Sequence, residues 1–94
     1  MLADEPADTF LRYSLALELD KEALHDESLA EFRRLMTASP AYVPAFFMAA
    51  QQLARLNRVD EARTALRAGI EQARATGDTH AAGEMSEFLA SLGV

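Results

Sequence analysis

The sequence contains no cysteine, which excludes disulfides, a thiol nucleophile and thiolate metal sites and leaves the redox compartment open. Nor does it contain the run of about 18 or more apolar residues that a bilayer-spanning helix requires. Positive charge is scarce. Nine Lys and Arg face fifteen Asp and Glu, a formal net charge of −6, and that balance opposes a phosphate backbone or an anionic membrane surface. Nucleic acid and membrane are therefore not expected partners. The amino end carries Asp4, Glu5 and Asp8 in place of the basic start and apolar stretch of a secretory signal, so a cytoplasmic location is expected.

Catalytic signatures are equally sparse. The four glycines stand apart at 69, 77, 83 and 93 and form no phosphate cradle. There are only two histidines. His80 and Glu84, four apart, fit one helix face but supply too few ligands for a closed zinc site. His25 stands in a turn beside Asp26 and Glu27. Acidic groupings such as Glu18, Asp20 and Glu22 read as solvated helix faces, and their spacing is not that of a calcium loop. No catalytic residue, metal or cofactor is predicted, and the chain is not expected to be an enzyme.

What is present is helical. Half of the residues are hydrophobic, with alanine the commonest and leucine next, while valine and isoleucine are few; that composition favours helices over strands. Phe10, Leu11, Leu15, Ala16, Leu19 and Ala23 recur at three- and four-residue steps and predict a first helix from Pro6 to Glu22, with Pro6 in the first turn. Leu24, Ser28, Leu29, Phe32, Leu35 and Met36 predict a second from His25 to Ala38, stopped by Ser39 and Pro40. A third, from Pro44 to Leu56, carries Phe46, Phe47, Ala49, Ala50 and Leu53. Asn57 reads as an N-cap with Asp60 in a capping-box variant, opening a fourth helix from Arg58 to Ala75 that Gly77 closes. Asp78 reads as the cap of a fifth helix, in which Ala81, Met85, Phe88, Leu89 and Leu92 share a face. The short connections favour antiparallel neighbours.

Shifting the chain against itself by 34 residues aligns Ala16 with Ala50, Leu19 with Leu53, Asp26 with Asp60, Glu27 with Glu61 and Arg33 with Arg67. Tyr13 meets Phe47, Leu15 meets Ala49, Ser28 meets Ala62, Phe32 meets Leu66 and Met36 meets Ile70. Two helices per 34 residues is the tetratricopeptide spacing, and over residues 9–74 the chain resembles the tetratricopeptide repeat (TPR) family. Phe46 stands where that repeat prefers tryptophan, and Ala49, Ala50, Leu53 and Ala62 hold its later places. The first unit has Leu15, Ala16, Leu19, Ser28, Phe32, Leu35 and Pro40 instead. Arg12 takes the tryptophan place of the first unit, as an end facing solvent tolerates, and Arg74 replaces the second unit's closing proline. Gly69 falls where the family has alanine, which reads as close contact with the last helix. The resemblance implies an all-α fold of five helices, antiparallel hairpins stacked as a short right-handed solenoid in a single domain spanning 1–94. Repeat 1 covers about 9–42, repeat 2 about 43–76, and a capping helix about 78–92.

In that family the first helices of successive hairpins line a concave face that holds peptides or helices. The corresponding places here are Phe10, Tyr13, Ser14, Leu17 and Lys21, then Phe47, Met48, Gln51 and Arg55. Such a mixture suits burying a partner's apolar side chains while polar groups set register. The implied function is that of a protein-interaction module or adaptor. One TPR subclass grips a C-terminal carboxylate through lysine, arginine and asparagine; Tyr13, Leu17, Phe47 and Gln51 stand at those places, so acidic chaperone tails are not expected ligands. Alternatively, some of these aromatic residues pack against the capping helix. Two and a half repeats also fall short of the three or more a solenoid usually needs, which leaves a homodimer as the alternative, with Tyr42, Val43, Phe46 and Phe88 at its seam.

Overall fold

Helices separated by three tight turns and one longer connection carry the whole architecture. The computed structural model describes residues 6–93, with side chains from Asp8 to Gly93. Among them are α1 (Pro6–Lys21), α2 (His25–Met36), α3 (Val43–Arg55), α4 (Val59–Ala75) and α5 (Thr79–Ser91). All five lie where the periodicity puts them, and their ends shift by one or two residues. None of these helices is long and apolar enough to cross a membrane. The residues divide into two compact units, one reaching Ala45 and the other starting at Phe46, so the boundary falls inside α3.

In the first unit α1 and α2 form a hairpin. The Ser28 hydroxyl donates to the Ala16 carbonyl at 2.6 Å, Arg12 pairs with Glu31 at 2.9 Å, and the Tyr13 ring meets Phe32 edge-on. Going back along α1 from Ala16 to Tyr13 and Arg12, the partners advance along α2 from Ser28 to Phe32 and Glu31, which is the antiparallel order. The buried residues of α2 are Ser28, Leu29, Phe32 and Leu35, one stripe at helical spacing. Against it α1 contributes, among its described side chains, a single wholly buried one, Ala16. Small residues at the crossing, Ala16 and Ser28, let the two backbones approach. Phe10, Leu11 and Leu15, part of the apolar spacing that predicts the first helix, are 61%, 64% and 47% exposed. The periodicity of α1 is real, but its leucines extend right round the helix, so spacing alone does not tell the inner face from the outer one.

In the second unit α4 buries Ala62, Ala65, Leu66, Gly69, Ile70 and Ala73. Gly69 is the point of closest approach: a Cβ placed there would stand 2.6 Å from Phe46 Cβ on α3 and 2.7 Å from Met85 Sδ on α5. The glycine thus admits α3 as well as the last helix, one more element than the sequence suggests. Arg63, early in α4, reaches the Leu92 carbonyl beyond the end of α5 at 3.1 Å, while Gly69, further on, lies by Met85; these two helices are antiparallel.

The three tight turns share one backbone solution. Ala23, Asn57 and Gly77 adopt left-handed φ values of 63°, 64° and 78°. The next residue's amide then donates back to the helix: Leu24 to Leu19 at 2.9 Å, Arg58 to Leu53 at 2.8 Å and Asp78 to Ala73 at 2.8 Å. This is the Schellman closure of a helix C-terminus. It corrects the reading of Asn57 as an N-cap. Asn57 is the left-handed residue ending α3, a role its short amide tolerates, and the cap place passes to Arg58, which makes no side-chain cap bond. Asp60 pairs with Arg63 and takes no part in a capping box, while Glu61 is gripped by Arg58 at 2.7 and 2.8 Å. Ala23 and Leu24, counted in the apolar spacing of the first two helices, lie in the turn between them, Leu24 being 41% exposed. The remaining expectations for the turns match: Gly77 ends α4, and the Asp78 carboxylate caps α5 by accepting from the Ala81 amide at 3.1 Å.

Candidate interaction surface

The first-unit candidates lie along α1. Phe10 and Lys21 are exposed near its two ends, and Tyr13, Ser14 and Leu17 are half-buried between them. Tyr13 is the anchored member. Its ring lies edge-on to Phe32 at 6.1 Å and to Tyr42 at 5.2 Å between centroids, distances at which aromatic pairs attract beyond their buried area. Burial foremost, and the Tyr42 phenol beside it, hold the Tyr13 hydroxyl above its usual pKa of 10.0. Tyr42 is held in turn, because its amide donates to the Leu35 carbonyl at 2.9 Å and its carbonyl accepts from the Ala45 amide.

The second-unit candidates lie along α3. Phe47, Met48 and Gln51 are half-buried and Arg55 is exposed. The Phe47 ring meets Phe88 of α5 edge-on at 5.8 Å, so this aromatic does pack on the last helix, one of the two roles left open by the sequence. Apart from Phe10, whose counterpart is Pro44, the two sets match place for place under the 34-residue shift: a half-buried ring at Tyr13 and Phe47, an exposed cation at Lys21 and Arg55. None of the nine candidates belongs to the core.

Other expected roles fall differently. Phe46 is only 4% exposed and Val43, Tyr42 and Phe88 are half-buried, with Phe46 covered by Gly69 and both Tyr42 and Phe88 occupied by ring contacts. Phe46 is therefore not available as a seam residue. Arg12 is not simply turned to solvent, since it clamps Glu31 of α2. His25 opens α2 with Nδ1 3.3 Å from Asp20 Oδ1, so its acidic neighbour comes from α1 and not from Asp26 or Glu27. His80 and Glu84 lie 3.6 Å apart on the surface, and no group of three or more His, Asp or Glu able to hold a metal occurs among the described residues. The wholly buried Gln52 went unnoticed in the sequence; its neighbours at helical spacing, Ala45, Ala49 and Leu53, are the signal that points to it.

No protein-family model and no curated protein matches the chain. Among solved structures, the chain is similar to the solution structure of a tetratricopeptide repeat domain protein from Salinibacter ruber. The two share 31% identity, the match covers 96% of this chain and 91% of that one, and the TM-score is 0.85. With the 34-residue spacing, the small residues at the helix crossings and this likeness over nearly the whole of both chains, the protein belongs to the tetratricopeptide repeat family.

Proposed function

We propose that the chain is a protein-interaction module that holds a peptide or helix of a partner along the first helices of its hairpins. The observation that carries the reading is the repeated order of side chains on α1 and α3. Each offers a ring braced from behind, then half-exposed Ser14 and Leu17 or Met48 and Gln51, then an exposed cation. A braced ring presents apolar area at little further entropic cost, and Leu17 and Met48 add adaptable apolar contact. Lys21 and Arg55 each suit an acidic group on a partner.

The test is affinity capture from lysate with wild type and with a Leu17→Lys, Met48→Lys double variant, whose altered side chains are only half-buried and so leave the core intact. Wild type is expected to retain proteins that the folded variant loses. Identical sets retained by both would remove this surface from the function.

A further inference from the structure

We propose that a second copy of this chain docks, through the outer stripe of its α1, into the groove between α4 and α5. The two surfaces are different, so the association is head-to-tail. On α1 the exposed line reads Leu11, Leu15, Glu18 and, one residue past the helix end, Glu22. Steps of four, three and four residues place these on one side of a helix. Nothing in the first unit covers Leu11 or Leu15, which stay 64% and 47% exposed.

The second unit has a counterpart at the same spacing. Arg63, Arg67, Ile70 and Arg74 run along α4 beside α5. A groove of about 480 Å³ opens there, lined by Arg67, Ile70, Glu71, Arg74, Ser86 and Leu89. Arg63 is spent on Asp60 and the Leu92 carbonyl, but the exposed side chains of Arg67 and Arg74 make no hydrogen bond or ion pair among the described residues. Laid antiparallel to α4, the stripe sets Glu18 opposite Arg67 and Leu15 against the half-buried Leu89, over the largely buried Ile70. Covering the leucines supplies the affinity, and the Glu18–Arg67 pair fixes the register.

Charge across the chain points the same way. Residues up to Ala45 carry nine Asp and Glu against four Lys and Arg, a net of −5, whereas residues from Phe46 carry six against five, a net of −1. A first unit therefore meets a second unit with less repulsion than it meets another first unit. A contact of this kind leaves a free stripe and a free groove on any complex that does not close on itself.

Sedimentation velocity of the full chain tests this with two folded variants. One has Leu15→Ser and Glu18→Arg, which disable the stripe; the other has Arg67→Glu, which disables the groove. Leu11, Leu15, Glu18 and Arg67 are outside the nine candidate positions on α1 and α3, so loss of self-association is distinguishable from loss of partner capture. Wild type is expected to associate as concentration rises into the millimolar range, and each variant alone to stay monomeric. An equimolar mixture of the two should stop at a dimer, because each retains the surface that the other lacks. A monomeric wild type, a variant that associates like wild type, or a mixture that stays monomeric overturns the proposal.

Discussion

Ala23 holds a left-handed backbone, φ 63°, without the freedom glycine has there, and an L-residue in that region is strained by roughly 1–2 kcal/mol. Ala23→Gly relieves the strain but frees the unfolded chain by about 0.4–1 kcal/mol. The net expectation is a gain of roughly 0.5–1 kcal/mol, read as a higher urea midpoint at unchanged slope; a lower midpoint contradicts the turn geometry. Gly69 gives the opposite expectation. Alanine there recovers about 1 kcal/mol of helix propensity, yet its Cβ meets Phe46 Cβ, which has little room to move, and Met85 Sδ, which has more. Overpacking costs about 1–3 kcal/mol, so Gly69→Ala is expected to melt at a lower temperature, and a higher melting temperature shows that α3 and α5 are looser than described.

At the scale of elements, the α1–α2 hairpin rests on few contacts, because among the described side chains of α1 only Ala16 is completely buried. The Arg12–Glu31 pair and the Tyr13 ring matter more for that reason. Arg12→Ala is expected to destabilise by up to about 1 kcal/mol, with the loss reduced in high salt, as for a partly exposed ion pair. Tyr13 ties the same hairpin to pH. Its folded pKa lies above the usual 10.0 because burial disfavours the phenolate. Folding therefore keeps its full stability below pH 10 and loses it as pH climbs from 10 through the raised value. A Tyr13→Phe variant should show a shallower alkaline loss in a series of thermal melts, and an equal loss in both proteins contradicts the burial of that hydroxyl. The existence and order of all five helices were legible in the sequence, because the apolar spacing and the Gly77 and Asp78 signals are local. The turn at Asn57 was not, since an asparagine suits both an N-cap and a left-handed C-terminus, and only the Arg58 to Leu53 hydrogen bond distinguishes them.

For the whole molecule, the 34-residue interval was the most informative feature, since a repeat length depends on no single side chain. Which side of each helix faces outward was less legible. On α3 and α4 alanines mark the inner face, whereas α1 has Leu11, Leu15, Leu17 and Leu19 spread around its circumference. Of the nine surface positions read from the family, all lie outside the core, while the bracing of Tyr13 by Tyr42 and of Phe47 by Phe88 arises from residues distant in sequence. The central claim is that partners lie along the first helices of the hairpins. It is tested most directly by placing a photo-crosslinking side chain at Leu17, Met48, Arg33 or Thr64, one position per protein, and irradiating each in lysate. Cross-links to the same partner from Leu17 and Met48, with none from Arg33 or Thr64 on the second helices, are the predicted result; cross-links from Arg33 and Thr64 alone contradict it.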